Sequence, residues 1–240
     1  MHKLLQNLLV IDIETISGQR DFEKLSADMQ HHWERKAQFL RNAEELSSAE
    51  LYNQRAAIYA EFGQVVVIGM GFFHEVGGEP ALRVKSLASD NEKEMLETFA
   101  SIINTKFDPE LLKLCAHNGK EFDFPYLCRR LLINGISIPY TLDIGGKKPW
   151  EVRHLDTMEM WKFGDWKAFT SLDLLTSIFN IPTSKDDMDG SMVTKTFYEQ
   201  EGGLDRIATY CRKDVVATSQ LFLRLNNLPL IPEDLITIIA

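Results

Sequence analysis

Residues 7–16, NLLVIDIETI, constrain the fold more than any other stretch of the chain. The run is apolar enough for a buried strand, yet it carries Asp12 and Glu14. Successive strand side chains alternate between faces, so Asp12 and Glu14 point one way while Ile11, Ile13 and Thr15 point the other. Burying two ionised carboxylates side by side is costly unless something cationic compensates. Two readings follow. Either the strand ends at Ile11 and the acids are solvated, or both acids lie inside and positive charge meets them.

Composition narrows the setting. At 240 residues, 45% hydrophobic and 25% charged, a single domain over 1–240 is the simplest reading. No apolar run reaches the roughly 18 residues of a membrane span. The N-terminal apolar stretch runs straight into the acid pair without a small-residue cleavage site, which predicts a core strand and not a signal peptide. Cys115, Cys128 and Cys211 sit in apolar contexts without paired spacing, the pattern of reduced core thiols in a cytoplasmic protein. The net charge of −9 and pI of about 5.2 argue against a protein that holds nucleic acid mainly by a broad basic surface. They leave room for an enzyme that meets phosphate through metal ions held on clustered acids.

Along the chain, residues 7–14 predict the first strand and 20–62 a helical insertion after it, with Gly63 as its stop. Residues 64–73 and 81–88 predict a hairpin around the turn 75–80. Ser89 followed by Glu92 reads as a capping box opening a helix over 91–104. Residues 111–118 and 151–157 read as strands, and 124–135, 170–181 and 203–225 as helices. The C-terminal stretch 228–240 is apolar, for internal packing or an oligomer contact. The whole predicts an α/β fold around a mixed sheet.

Three places carry acids where core geometry favours apolar residues. The first is Asp12 with Glu14. The second is Asp123 in HNGKEFDFPYL, residues 117–127, where an ordinary N-cap role before Pro125 is the competing reading. The third is Asp214 in YCRKDVV, residues 210–216. Asp214 falls on the apolar stripe of Ile207, Cys211, Val215, Leu221 and Leu225, with Tyr210 one turn earlier; pairing with Arg212 or Lys213 is the alternative. Acids from a first strand, a second strand end and a late helix can converge above a sheet. Such a cluster stays ionised only around divalent cations, and oxygen-only ligands point to magnesium or manganese.

The segments Asp12-Ile13-Glu14-Thr15, Asn118-Gly119-Lys120-Glu121-Phe122-Asp123 and Tyr210-Cys211-Arg212-Lys213-Asp214, in that order, resemble the DEDD superfamily of 3′–5′ exonucleases in its tyrosine branch. They are most similar to the proofreading exonuclease domain of family B DNA polymerases, in particular to stand-alone bacterial proteins of that type. KAFTSLDLL, residues 167–175, resembles a Ser-x-x-Leu segment of the same group. The resemblance implies a ribonuclease H-like fold and two-metal hydrolysis of single-stranded DNA or frayed 3′ ends, with RNA as the other candidate substrate. It implies that Asp12, Glu14 and Asp214 hold the first magnesium or manganese ion. Asp12 would also touch the second, and Asp123 would act mainly through its water shell. Tyr210 would position the attacking water. Ile13, Thr15, Asn118 and Phe122 match positions that line the terminal nucleotide. The histidine branch would have His at 209, where this chain has Thr209. The chain departs from the pattern in lacking a polymerase domain and in its long insertion at 20–62.

Other features have plainer readings. Adjacent His31 and His32 do not share a helix face and read as solvated surface. His117 reads as a neighbour of the site, Cys211 as core, and Asp156 as either an auxiliary site residue or a turn or cap. GGKKPW, residues 145–150, reads as an exposed loop or as a phosphate-and-base contact. Two further functions compete with the exonuclease: a silent nucleic-acid-binding or partner-docking module of the same fold, and a phosphatase using Asp12 as nucleophile. The second leaves Asp123, Tyr210 and Asp214 without roles.

Overall fold

The computed structural model describes residues 2–165, 167, 169–182 and 188–239. A six-stranded mixed sheet has the order β5-β4-β1-β2-β3-β6, with β1 (Leu8–Ser17) near its centre. β1 runs antiparallel to β2 (Gly63–Val76), which turns back antiparallel into β3 (Glu79–Ala88). β4 (Lys113–Ala116) and β5 (Leu155–Asp156) extend one side in parallel, and β6 (Ile236–Ile239) closes the other beside β3. This is the ribonuclease H-like α/β architecture the sequence implied.

Helices cover both faces. α3 (Glu92–Lys106) and α4 (Asp123–Ile133) pack on one face against Leu9, Ile11 and Ile13. α7 (Val193–Glu199) and the long α8 (Gly203–Leu225) pack on the other against Leu8, Val10 and Ile16. The alternation along β1 is therefore strict, and Asp12 and Glu14 lie between Val10 and Ile16 on the α8 face. The strand continues to Ser17, past residue 14, so the reading in which it stops at Ile11 is overturned. Backbone ties to α7 help: Ser17 N–H donates to Thr194 Oγ1 at 3.2 Å and Tyr198 donates its hydroxyl proton to Ser17 O at 2.9 Å.

The insertion after β1 is helical as expected, with α1 (Ala27–Ala37) and α2 (Ser48–Arg55) each capped by a serine. It has its own small core around Trp33 and Tyr52, and Tyr52 ties it to the end of β1 through Gln19. α5 (Thr157–Lys162) and α6 (Leu172–Ile178) lie between β5 and α7.

Several expected boundaries move for local reasons. The hairpin turn is only Gly77-Gly78, both at positive φ, so the strands pair up to Val76 and Glu79. Ser89 and Glu92 form no capping box: Asn91 caps α3, while Glu92 is buried and takes hydrogen bonds from Val65 N–H and the Arg130 guanidinium. β4 and β5 are shorter than the strands expected at 111–118 and 151–157. Part of the reason is His154, whose Nδ1 accepts from Leu114 N–H at 3.2 Å in place of a ladder carbonyl. The C-terminal stretch packs internally as β6, pairing Leu82–Lys85 with Ile236–Ile239. Ala168 of the Ser-x-x-Leu segment and Ala240 lie outside the described residues.

Candidate active site

Two glycines in β2 set the distance between α8 and the sheet. A Cβ on Gly69 would come within 2.7 Å of Val215 Cγ2 and 2.8 Å of Cys211 Sγ, and one on Gly71 within 2.7 Å of Val215 Cγ1. Gly69 pairs directly with Asp12 across the sheet. Bare backbone at that position lets the helix that carries Tyr210 and Asp214 settle directly over the strand that carries Asp12 and Glu14. Gly69→Ala is expected to lift α8 and destabilise the fold by about 1–3 kcal/mol, the usual cost of overpacking. Denaturant melting beside a Gly190→Ala control, where an added Cβ meets nothing within 4 Å and the backbone is not left-handed, checks it. Equal stability of wild type and Gly69→Ala would mean that α8 sits more loosely than the contacts indicate.

The third element is the loop after β4. Asn118 adopts a left-handed conformation at φ 62° and Gly119 follows with no room for a Cβ, which would meet that of Ala116 at 2.3 Å. The loop is held by Asp156, whose carboxylate accepts from Asn118 N–H and Lys120 N–H, both at 3.0 Å. The same carboxylate caps α5 through Met158 and Glu159 N–H. Asp156 is thus both cap and clamp, and it is only 4% exposed. Asp156→Ala strands these N–H groups and is expected to cost about 2–4 kcal/mol, whereas Asp156→Asn keeps an acceptor and loses less. Chemical denaturation of both variants measures the difference; similar small losses would remove the clamp. His117 supports the same loop, with Nδ1 2.9 Å from Thr157 Oγ1 and Nε2 3.0 Å from Thr170 O.

Asp123 is not an N-cap. Phe122 occupies the cap position of α4, and Asp123 Oδ1 instead accepts from Ile13 N–H at 3.1 Å, a bond between the start of α4 and the middle of β1. It stands close enough to Asp12 and Glu14 for its charge to disfavour theirs.

The site's electrostatics follow from this packing. Burial pushes Asp12 well above the carboxylate range, and the charges of Asp214 and then Asp123 push it further. Glu14, 6% exposed, is raised by burial and then by Asp12, Asp214 and Asp123. Burial also lifts Asp123 to about 7, against the pull of backbone hydrogen bonds. Tyr210 is held far above its ordinary value by burial and by Asp214, Glu14 and Asp12, and it hydrogen-bonds Asp214. Asp12 Oδ2 is buried with no hydrogen-bond partner among the described residues. The tightest grouping is Asp12, Glu14 and Cys211, whose ligand atoms lie within 4.8 Å of one another.

The structure thus brings Asp12, Glu14, Asp123, Tyr210 and Asp214 into one electrostatic unit. The positions matched to a terminal nucleotide divide. Asn118 and Phe122 are partly exposed beside Asp123. Ile13 and Thr15 are buried on the opposite side of β1 from the acid pair, Ile13 in the α3–α4 core and Thr15 against the Tyr126 hydroxyl. A cleft of about 820 Å³ runs along α8 from Tyr210 and Asp214 past Lys213 to Ser171 and Asp173. His31 and His32 are exposed on α1. In GGKKPW, Lys148 N–H donates to the Glu151 carboxylate and the Lys148 ammonium lies over the exposed Trp150 ring, while Arg153, just after it, holds the carbonyls of Pro109 and Glu110 before β4. The sequence reading missed the clamp by Asp156 and the polar surroundings of Cys211. It also missed the glycine pair, although the GMG of Gly69 to Gly71 inside a strong strand is a signal of close backbone approach.

Fold and site together define a ribonuclease H-like domain built around a carboxylate centre. The chain belongs to the family described as predicted 3′–5′ exonucleases related to the exonuclease domain of PolB, which matches residues 58–229. The match begins beyond Asp12 and Glu14. DNA polymerase 1 of Pyrococcus abyssi is 27% identical over 183 residues, covering 67% of this chain and 22% of the polymerase. A DNA polymerase of Thermococcus hydrothermalis is 30% identical over 146 residues, covering 54% of this chain and 8% of its own length. The family B DNA polymerase of Pyrobaculum calidifontis shares the fold, with a TM-score of 0.55 at 13% identity over 90% of this chain and 24% of that one. The chain therefore spans about a fifth of the first of these curated relatives.

Proposed function

We propose that this protein is a metal-dependent 3′–5′ exonuclease of the tyrosine branch, acting on single-stranded DNA or frayed 3′ ends. The observation that supports the reading is the mutual charge coupling of Asp12 and Glu14 on β1 with Asp123 at the start of α4 and Asp214 on α8, with a buried oxygen of Asp12 that has no hydrogen-bond partner among the described residues. An uncompensated cluster of this kind is unfavourable, and the donor set of carboxylate oxygens suits hard divalent ions. Asp12, Glu14 and Asp214 would hold one magnesium or manganese ion, and Asp12 and Asp123 would serve a second. When bound, such a pair supplies Lewis-acid charge for in-line displacement at phosphorus.

The rest falls to the chain itself. Asp123, tied to Ile13 N–H, fixes the loop against β1. Asn118 and Phe122 border the place where a terminal nucleotide would lie, with Ile13 and Thr15 supporting it from the core side. The Tyr210 phenol, kept protonated by its acidic surroundings, is a hydrogen-bond donor suited to orienting the attacking water. The three free cysteines suit a reducing, cytoplasmic setting. The test is digestion of 3′- and 5′-labelled single-stranded DNA and RNA with magnesium, manganese or chelator. Stepwise shortening from the 3′ end that requires metal supports the reading. Binding without any cleavage in either metal favours a silent module.

A further inference from the structure

The exonuclease reading leaves Cys211 without a role. It stands one residue after Tyr210 on α8, fully buried, on the stripe where Ile207 and Val215 pack as hydrophobes. Its surroundings are not purely apolar. Sγ lies 3.4 Å from the Asp12 carbonyl oxygen, within hydrogen-bond reach of the thiol, and within 4.8 Å of carboxylate oxygens of both Asp12 and Glu14. The bare backbone of Gly69 makes this approach possible, since a Cβ there would fall 2.8 Å from the sulfur.

A second observation points to a ligand at the same place. Asp12 Oδ2 is buried and has no hydrogen-bond partner among the described residues, and Glu14 beside it is 6% exposed. One sulfur and two carboxylates make a three-ligand set, the number found in open zinc sites that keep a position for a further ligand. Magnesium gains nothing from sulfur, whereas zinc-class ions bind thiolate strongly. The sulfur therefore changes which ions the acid pair prefers.

We propose that Asp12, Glu14 and Cys211 form a mixed sulfur–oxygen site that takes a thiophilic divalent ion of the zinc class and thereby excludes hard ions from the same two acids. On binding, the Cys211 S–H bond breaks, its proton passes to solvent, and a sulfur–metal bond forms, with no change of oxidation state. The consequence, which rests on the exonuclease reading, is that zinc-class ions hold the enzyme inactive.

The test uses the full-length, metal-free chain with cadmium as probe, read by its near-ultraviolet thiolate-to-metal charge transfer. Wild type is expected to develop this band up to one equivalent. Cys211→Ser is expected to lose the band and to bind cadmium at least about 10–100-fold more weakly. Cys128→Ser, whose thiol lies against the Leu142 carbonyl elsewhere, is expected to keep it. Glu14→Gln retains the thiol and is expected to weaken the affinity, so the proposal stays testable if Cys211→Ser folds poorly. In a parallel measurement, zinc is expected to release manganese from wild type, seen as free-ion signal in electron paramagnetic resonance. Absence of the band in wild type, its survival in Cys211→Ser, or zinc and manganese binding without competition would each overturn the proposal. None of these readouts needs turnover, so a chain without nuclease activity would refute the exonuclease reading and leave the metal site to be judged separately.

Discussion

Asp12→Ala is expected to lower cleavage by at least about 10³-fold and to raise the melting temperature of the metal-free protein. The rate loss follows from removing the residue shared by both proposed ions: several kcal/mol of transition-state stabilisation is about three powers of ten. The stability gain follows from charge. Asp12 and Glu14 are each raised by burial and by the neighbouring acids, so removing one carboxylate relieves the others. A carboxylate raised in the folded state contributes stability that is complete below its unfolded value, near 3.8 for aspartate, and is lost as pH rises through the folded value, about 7 for Asp123. In chelator, the advantage of Asp12→Ala over wild type should therefore grow from about pH 4 to above pH 7. One to two units of relieved shift is worth about 1.4–3 kcal/mol, or roughly 2–4 °C per kcal/mol for a domain of this size. Excess magnesium or manganese should reverse the order, because only wild type then gains binding free energy at high pH. Melting curves across this pH range, with chelator and with metal, measure both halves. A variant less stable than wild type at every pH in chelator would show Asp12 to be structural.

The strand that opened the reading was legible because two periodicities disagreed. Its apolar run demanded burial, while Asp12 and Glu14 shared one face, and the structure resolves the conflict by setting both beneath α8, Glu14 buried and Asp12 partly so. The bounds of α8 were legible from its long apolar stripe. Asp214 and Tyr210 could be placed near the acid pair because both lie close to that stripe. Tertiary contacts with no local signature were not legible. The Asp156 carboxylate reaches back 38 residues to Asn118, and Asp123 reaches 110 residues to Ile13. Asp156 does cap α5, with no separate sign of its reach to the loop, whereas Asp123 only resembles a cap, since an aspartate before a helix is ordinary in that role. Glu92 misled in the same way: three residues after Ser89 it fits a capping box, yet it is spent on Arg130 and Val65 in the core. The split among Ile13, Thr15, Asn118 and Phe122 likewise depends on which face of β1 the loop after β4 folds over, and no spacing encodes that.

Tyr210→Phe separates chemistry from packing. Tyr210 is partly buried beside Asp214, and the substitution keeps ring and shape while removing only the hydroxyl. If the hydroxyl served only the fold, its loss would cost about 0.5–1.5 kcal/mol in melting and leave the rate alone. The surroundings argue otherwise. Burial and three acids hold the phenol protonated, so across neutral and alkaline pH it remains a donor facing the centre where a water would attack. Removing such a contact typically costs about 10²–10⁴ in rate, or roughly 3–5 kcal/mol in the transition state. The expected result is a slow variant that melts close to wild type and binds single-stranded DNA equally well. Its residual rate should still require metal, because the acids are untouched. Single-turnover digestion at saturating enzyme isolates the chemical step from binding and release. A wild-type single-turnover rate in Tyr210→Phe would take the tyrosine out of the mechanism and leave water activation to the acid-held ions alone.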